Sequence, residues 1–346
     1  MNPRILFILK RRGDFNPDVH SNKSMSTGLF NSAAFIVDML NASGIETEIQ
    51  VAVDANSIDA LVTVYKPTHV VIEALWVYPA KFVELTKLHP DIKWIIRLHS
   101  ELPFIANEGI AIDWIGDYVS HYNVYVAANT ERMQRDLQIY LSNKKFKNNI
   151  VYLPNFYPQD FNHKNLNKHK YWIDVGCFGA VRPLKNQLIQ AVAALKFANK
   201  INKQLRFHIN GGRIEQKGDS VFINIVSLFQ QVADSGHVLI SHDWAPREDF
   251  LEVCSQVDIG MQVSFSETFN IVAADLISQG IPIVTSKEIP WSSHWFNCDP
   301  NDSESIYKAL LKVYAYPKLN VSYNSKNLIS YTNTTRKIWL KYFKGN

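Results

Sequence analysis

Short apolar runs alternate with amphipathic helical stretches along nearly the whole chain, and this alternation constrains the fold more than any other feature. The first run, residues 5–9, is continuously apolar, as in a strand buried on both faces of a parallel sheet. In the first half, strands are predicted at residues 5–9, 47–53, 69–72, 94–98, 125–128 and 150–153, and helices at residues 29–40, 58–65, 79–88 and 130–141. Six strands alternating with helices indicate a doubly wound parallel sheet.

The alternation restarts after a polar stretch without periodicity, residues 156–170, which we interpret as a linker. Further strands are predicted at residues 172–178, 205–210, 238–240, 259–263 and 282–285, and helices at residues 186–198, 221–233, 249–255, 271–278, 303–314 and 333–343. We therefore predict an α/β protein with two Rossmann-like domains, residues 1–155 and 171–325, that face each other across a cleft. The length of 346 residues fits two domains better than one.

The composition predicts a folded protein of a reducing compartment. Hydrophobic residues make up 47% of the chain and charged residues 20%, which excludes a disordered chain. Its three cysteines lie far apart without a C-x-x-C pair, which is typical of cytoplasmic proteins. The first apolar run is too short for a signal peptide, and no run approaches the roughly 18 residues of a membrane span. We expect a soluble, cytoplasmic protein.

Positive charge is concentrated in a few stretches of a chain whose formal net charge is +4. Basic residues cluster at residues 10–12, 144–147 and 164–170, and the tail at residues 320–346 contains no acidic residue. Such clusters can contact nucleic acid or an anionic membrane. They can equally be solvated surface, or cations that a helix C-terminus favours.

Several common catalytic motifs are missing from the sequence. G-x-G-x-x-G after the first strand, G-x-x-x-x-G-K-[ST], H-E-x-x-H, G-x-S-x-G and C-x-x-C do not occur. Dehydrogenases, P-loop enzymes, hydrolases and metalloproteases therefore become less favoured. The chain also lacks an Asp-x-Asp that could hold a metal against a diphosphate, so we expect no metal and no cofactor other than a substrate.

The first candidate site follows the first strand of the second domain. Arg182 and Lys185 lie between that strand and the next helix, within the segment 179–186. Ligands of doubly wound sheets bind at the carboxyl ends of strands, where helix N-termini also favour anions. Arginine offers a bidentate fork to a phosphate and lysine a point charge. The segment predicts a phosphate site; the alternative is a solvated loop.

The second candidate site lies around the predicted helix 271–278. Glu267 is at the mouth of a strand, and Asp275 follows eight positions later, on the same face if both lie near one helix. Two such carboxylates can accept hydrogen bonds from a polyhydroxylated ligand. The amides of Phe269, Asn270 and Ile271 would open the helix and could cradle a phosphate. The alternative is that the carboxylates only stabilise the helix N-terminus.

Polar residues also follow the strands of the first domain. Glu73 follows the third strand and His99 the fourth, where His99 would point into the cleft. A lone histidine is often structural, so this residue alone does not decide the chemistry. The basic segment Lys10, Arg11 and Arg12 follows the first strand and is a candidate for binding an anionic acceptor.

In these blocks the chain resembles retaining glycosyltransferases of the GT-B fold, close to family 4. The matching blocks are Leu153-Pro154-Asn155, the segment 178–186, Asn210-Gly211-Gly212, and residues 267–275 with Gly280-Ile281-Pro282. The last of them resembles the family's E-x7-E signature, with Asp275 at the second position. The segments 7–12 and 26–29 also resemble glycosyltransferases of large tailed phages.

The resemblance implies a role for each block. Arg182 and Lys185 would neutralise the diphosphate of a nucleotide-sugar donor, Glu267 would bind the transferred sugar, and Asp275 the ribose. The amides of residues 269–271 would hold the diphosphate. The resemblance also implies that Gly28 approaches the diphosphate, that His99 contacts the sugar, and that Asp243 and Trp244 bind the nucleobase. It further implies a closing helix, residues 326–346, that crosses back to the first domain.

The sequence departs from the family at three of these positions. Ala180 stands where the family usually has its arginine, and the arginine of this chain, Arg182, follows two positions later. Asn270 replaces the usual glycine, although asparagine tolerates left-handed dihedrals better than most residues. Asp275 is one methylene shorter than glutamate.

The acceptor is the least constrained part of the prediction. The basic segments and the phage-like N-terminus favour double-stranded DNA that carries hydroxymethylated bases, which the enzyme would have to expose. The alternatives are a lipid-linked or cell-surface glycan, or a sugar-nucleotide epimerase that uses His99 in acid–base chemistry. The donor is expected to be a UDP-sugar, and the enzyme would work in the host cytoplasm if phage-encoded.

Overall fold

The computed structural model describes residues 2–11, 28–161, 171–215 and 217–345. The chain divides into two compact units, Met1–Pro158 with Thr332–Asn346, and Gln159–Tyr331. Each unit contains one parallel six-stranded sheet, so the predicted α/β fold class is confirmed.

The sheet of the first unit has the strand order β2-β1-β3-β4-β5-β6. Its strands are β1 (Arg4–Lys10), β2 (Glu46–Ala52), β3 (His69–Glu73), β4 (Lys93–Arg97), β5 (Val124–Ala128) and β6 (Ile150–Tyr152). The apolar run 5–9 is buried throughout β1, because helices cover both faces of a parallel sheet. The strand order reverses between β1 and β3, which is where such sheets bind ligands.

The helices of the first unit are α1 (Gly28–Asn41), α2 (Ile58–Tyr65), α3 (Ala80–Leu88), α4 (Leu102–Ile105), α5 (Ala111–Tyr118) and α6 (Glu131–Tyr140). The predicted cap of α6 is confirmed, since the Thr130 side chain accepts a hydrogen bond of 3.0 Å from the Met133 amide. The sequence did not predict α4 and α5. Helix α5 is short and contains Gly116, which weakens its helical signal.

The sheet of the second unit has the strand order β12-β11-β10-β7-β8-β9. Its strands are β7 (Trp172–Val181), β8 (Gln204–Ile214), β9 (Val238–Ser241), β10 (Ile259–Gln262), β11 (Ile283–Ser286) and β12 (Asn297–Cys298). Its helices are α7 (Gln187–Lys200), α8 (Gly218–Gln231), α9 (Arg247–Ser255), α10 (Ile271–Ser278) and α11 (Ser303–Ala315). Strand β12 was not predicted, because two residues carry no periodicity.

The last helix, α12 (Pro317–Lys344), is 28 residues long and contains residues of both units. In the second unit, Asn320 exchanges two hydrogen bonds of 2.8 and 2.9 Å with the backbone of Ile283. In the first unit, Trp339 is fully buried and its indole donates to the Pro154 carbonyl at 2.8 Å. The sequence pattern predicted helix only at residues 333–343, because Asn and Ser are frequent before them and favour caps and turns, and the closing helix implied by the resemblance began at residue 326.

Two residues of the basic tail form hydrogen bonds within the first unit. The Lys344 ammonium donates to the Ser43 carbonyl at 2.7 Å, and the Arg336 guanidinium donates to the Ser43 hydroxyl at 3.2 Å. Ser43 follows the C-terminus of α1, where a helix favours cations. No helix in the described ranges is both long and apolar enough to cross a lipid bilayer.

Candidate functional site

The loop after β7 carries the two predicted phosphate-binding cations. Gly179 has a φ of 104°, which favours glycine, and its amide donates to the Asn210 side chain at 2.8 Å. Asn186 ends the loop in the left-handed region and donates to the Val263 carbonyl at 3.0 Å. The loop carrying Arg182 and Lys185 is thus fixed between the ends of β7, β8 and β10.

Lys185 and Glu267 form a buried ion pair, with exposed side-chain fractions of 11% and 8%. Asn270 donates to the same Glu267 oxygen at 3.1 Å and to the Gln262 amide oxygen at 2.9 Å. Two blocks that the sequence identified separately, 82 positions apart, therefore meet in one network. A cation, a carboxylate and an amide gathered at a strand end can bind a ligand that is both anionic and rich in hydroxyls.

The pKa values of this pair reflect burial and mutual charge. Burial lowers the pKa of Lys185 below its usual range, the Glu267 carboxylate opposes this, and the Arg182 charge adds to it. Burial alone would raise the pKa of Glu267, but Lys185 and Arg182 outweigh it and leave that pKa below its ordinary value. Each charge of the pair therefore opposes the effect of burial on its partner.

Arg182 faces a different carboxylate from Lys185. Its guanidinium lies 3.7 Å from Glu215, which also binds Arg213 at 2.5 Å. Arg213 in turn stacks on the Trp244 ring at 4.2 Å from its centroid. Sequence reasoning missed Arg213 and Glu215, although both closely follow the glycine pair that the resemblance singled out.

The N-terminus of α10 begins at an asparagine in the left-handed conformation. Asn270 has a φ of 61°, and its side chain accepts a hydrogen bond of 2.8 Å from the Ala273 amide. Ile271 is the first helical residue, and the Phe269 carbonyl accepts from the Trp291 indole at 2.8 Å. The three predicted amides thus lie at this helix start, as expected.

The condition under which Glu267 and Asp275 would share a helix face is not met. Glu267 lies in the loop before the Asn270 cap, so only Asp275 is on α10. Asp275 is 2% exposed and binds the Arg247 guanidinium at 2.5 Å. Arg247, the first residue of α9, was missed because no pattern links it to a carboxylate 28 positions away.

The predicted nucleobase segment directly follows His242, which belongs to a hydrogen-bonded chain of three polar side chains. The His242 ring is 2.9 Å from the His208 Nδ1, and the His208 Nε2 is 2.8 Å from Asp174. Asp243 crowds the backbone of Gly212, where an added Cβ would lie 2.9 Å from the Asp243 Cα. This close approach explains the second glycine of the Asn210-Gly211-Gly212 block.

In the first unit, His99 contacts a fully buried carboxylate. Its Nε2 hydrogen-bonds Glu73 at the end of β3, and Arg97 lies 3.1 Å from both Glu73 oxygens. Burial lowers the pKa of His99 below its ordinary value, although Glu73 opposes this. Sequence reasoning had placed Glu73 at a strand end but had given it no role.

Of the remaining predicted residues, Lys10 lies at the same edge of the first sheet. Lys10 ends β1 with an exposed side chain, and Arg11 is exposed directly after it. Arg12 lies outside the described residues. Gly28 opens α1, and a Cβ added to it would meet no atom within 4 Å.

Solved structures with this architecture include synthases of sucrose phosphate and of trehalose 6-phosphate. Sucrose-phosphate synthase from Thermosynechococcus elongatus aligns with a TM-score of 0.72 at 12% identity, covering 99% of this chain and 100% of that one. A trehalose-6-phosphate synthase, OtsA, aligns with a TM-score of 0.69 at 12% identity, covering 99% of each chain. The fold is of the GT-B type. An E. coli structure described as bound with UDP-2-fluoro glucose aligns with a TM-score of 0.67 at 11% identity, covering 99% of each chain. No protein-family model and no curated protein matches the sequence.

Proposed function

We propose that the protein is a glycosyltransferase that takes its sugar from a nucleotide-diphosphate sugar, with a UDP-sugar as the donor. The observation that carries this proposal is the network of Lys185, Glu267 and Asn270 beside the N-terminus of α10. It brings positive charge, a hydroxyl-binding carboxylate and helix amides to one sheet edge. The likeness to a structure that holds UDP-2-fluoro glucose supports the choice of donor.

The charges suit the departure of a nucleoside diphosphate. Breaking the bond between sugar and phosphate develops positive charge on the sugar and negative charge on the leaving group. Preorganised cations stabilise that negative charge without reorganising during the reaction. Lys185 and Arg182 would be these cations, and the amides of residues 269–271 would donate further hydrogen bonds at the helix start.

Glu267 would bind a hydroxyl of the donor sugar while it holds Lys185 in place. Its second carboxylate oxygen remains an acceptor when the first is engaged by Lys185 and Asn270. One carboxylate would thereby position both the sugar and the cation that faces the diphosphate. Asp275 keeps Arg247 near the same helix, and its contact to the ribose stays a prediction.

The donor is tested by thermal unfolding with nucleotides and nucleotide sugars, since a ligand that binds only the folded state raises its stability. We expect stabilisation by a UDP-sugar and by UDP. Lys185→Ala and Arg182→Ala should each lower turnover at least ~100-fold. Lys196→Ala is the matched control, because Lys196 pairs with Glu304 at an exposed position of the same unit. Normal turnover in both site variants would remove this assignment.

We propose further that transfer proceeds with retention and needs no metal ion. Retention rests on the family resemblance, and metal independence rests on the side-chain cations that can neutralise the diphosphate. NMR of the product's anomeric proton reports the stereochemistry. Incubation with EDTA should leave turnover unchanged, and its loss would overturn the second statement.

For the acceptor, we propose double-stranded DNA with hydroxymethylated bases, modified in the cytoplasm of a phage host. The exposed Lys10 and Arg11 at the end of β1 supply part of the positive charge. Binding to phosphates weakens steeply with salt, so a duplex gel shift should appear at low salt and disappear at high salt. Absence of a shift at low salt would favour a glycan acceptor. Conversion of the donor without any acceptor would indicate an epimerase.

A further inference from the structure

The amino ends of β7, β8 and β9 border a cavity of about 560 Å³ in the second unit. Strands β7 and β8 begin side by side, since Trp172 pairs with Gln204, and His237 directly precedes β9. The candidate functional site lies instead after the carboxyl ends of this sheet. Because β7 is 10 residues long, its two ends are roughly 25–30 Å apart. The cavity is therefore separate from the candidate site.

Two consecutive aromatic residues, Tyr171 and Trp172, line this cavity. Tyr171 is 68% exposed. The Trp172 ring is held by Arg206, whose guanidinium lies 4.4 Å from the ring centroid and donates to the buried Asp174 at 2.6 Å. Aromatic rings offer a large apolar surface and lose little conformational entropy when they bind. The cavity thus has an apolar part that a ligand can contact.

A buried histidine fixes the orientation of Asn199 at the cavity. The Leu205 amide donates to the Nδ1 of His237 at 2.9 Å, so the neutral ring carries its proton on Nε2. Nε2 then donates to the Asn199 Oδ1 at 3.0 Å. Burial lowers the pKa of His237, which favours the neutral ring. Because its oxygen is engaged in this way, Asn199 offers a ligand its amino group, which has two donors.

A second carboxamide, that of Gln204, is positioned by a glycine. Gly236 has a φ of 74°, and a Cβ added to it would lie 2.2 Å from the Gln204 Nε2. Glycine therefore serves two purposes here, since it adopts the left-handed conformation and leaves room for the carboxamide. Gln204 is exposed and lines the cavity, to which it brings both a donor and an acceptor.

The lining of the cavity is polar but carries little charge. The described residues that line it include one side-chain cation, Lys203, and no carboxylate. A cationic ligand would find no opposite charge here, and a strongly anionic ligand would find a single one. Sugar hydroxyls donate and accept hydrogen bonds, as carboxamides do, and the C–H face of a sugar ring packs on an aromatic ring. The lining therefore suits a neutral ligand that is rich in hydroxyls.

We propose that this cavity binds a neutral saccharide, with Tyr171 against the C–H face of a sugar ring and with Asn199 and Gln204 on its hydroxyls. The volume of about 560 Å³ lies within the range of about 300–1,000 Å³ that small-molecule pockets occupy, and it suits a mono- or disaccharide. The proposal does not rest on the proposed function, because none of these residues belongs to the donor or acceptor segments. A saccharide bound here tethers a glycan-bearing molecule to the second unit and leaves the candidate site open.

Saturation-transfer NMR on the full-length protein tests this binding. The probes are neutral saccharides at millimolar concentration: the methyl α- and β-glucosides and galactosides, N-acetylglucosamine, maltose, cellobiose and lactose. We expect at least one of them to receive saturation from the protein, most strongly at the ring C–H protons that face Tyr171. If none of these saccharides receives saturation, the proposal is overturned.

Substitutions at two exposed residues locate the bound saccharide. Tyr171→Ala and Gln204→Ala should each weaken its binding roughly 3- to 10-fold, the effect of losing one ring contact or one hydrogen bond. Tyr316→Ala and Asn224→Ala are the matched controls, since both residues are exposed in the same unit and neither lines the cavity. The controls should bind as the wild type does. Wild-type affinity in both Tyr171→Ala and Gln204→Ala would refute the assignment.

Competition separates this cavity from the candidate site. UDP should not displace the saccharide, and displacement by UDP would assign the saccharide to the donor site and overturn the proposal. Uridine and inorganic phosphate are tested in the same way, and binding of either that Gln204→Ala weakens, without binding of any saccharide, would show that the ligand class is wrong. If UDP does not stabilise the protein while a saccharide binds in the cavity, the proposed function fails and the saccharide site stands.

Discussion

Replacing Lys185 by methionine is the sharpest test of how the candidate site is built. The substitution removes the ammonium and retains most of the side-chain volume. Glu267 is then left as a carboxylate that is 8% exposed and has lost the ammonium that contacts it, although the neutral Asn270 amide still donates to it. Breaking a buried ion pair by removing one partner costs about 3–5 kcal/mol, because water cannot replace the lost charge.

The same substitution at Lys196 calibrates this loss. Lys196 also pairs with a glutamate, but its side chain is 55% exposed and that of Glu304 is 41% exposed. An exposed pair contributes about 0–1 kcal/mol. The difference between Lys185→Met and Lys196→Met should therefore be about 2–5 kcal/mol in the urea unfolding transition of the second unit.

Two further measurements identify the source of the loss. The double variant Lys185→Met/Glu267→Gln should recover much of the stability, since it leaves no buried charge without a partner. The penalty of Lys185→Met should also shrink as the pH falls. Without Lys185, we expect burial, which raises the pKa of Glu267, to outweigh the opposing charge of Arg182, so that the carboxylate becomes neutral first in the folded state. Equal losses for Lys185→Met and Lys196→Met would refute the argument.

Three other substitutions test separate parts of the structure. Trp339→Ala should destabilise the first unit by about 3–5 kcal/mol in urea unfolding, because the ring is fully buried; a loss under about 1 kcal/mol would contradict its place in that core. Gly179→Ala should lower stability by about 1–3 kcal/mol, because its φ of 104° disfavours a residue with a Cβ. Steric contact should add little, since the added Cβ would meet only Val272 at 3.9 Å. An unchanged unfolding midpoint would mean that the loop adapts. Arg247→Met should lower stability by about 3–5 kcal/mol at neutral pH by removing the guanidinium that contacts the buried Asp275 carboxylate, and Arg247→Met with Asp275→Asn should restore part of it; no recovery would show that the guanidinium stabilises the protein through other contacts.

The fold could be predicted well because its strands are apolar on both faces. Strand β1 was predicted at residues 5–9 and spans Arg4–Lys10, and β11 was predicted at residues 282–285 and spans Ile283–Ser286. Continuous apolar runs carry this signal without help from the rest of the chain. Helix α12 exceeds its predicted length, because its first half gains stability from contacts such as that of Asn320 rather than from propensity.

The candidate site could be predicted only in part, since its blocks are local in sequence and its pairings are not. Lys185, Glu267 and His99 were identified from residue type and position after a strand. Their partners were harder to predict from the sequence. Glu73 lies 26 positions before His99, and nothing in either local sequence encodes the contact. Arg247 is likewise paired with Asp275 only through the packing of α9 on α10. Such pairings depend on the tertiary structure.

Helix α12 also affects how the protein can be made. Trp339 and Phe343 complete a core whose other members come from the beginning of the chain, among them Phe7 and Ile36. A ribosome that synthesises this protein has already finished every residue of the second unit before it adds Trp339. The part of the first unit that is synthesised first, Met1–Pro158, therefore exposes an apolar face until Trp339 and Phe343 have been added. A fragment ending at residue 158 would be expected to aggregate unless a peptide corresponding to residues 332–346 is supplied.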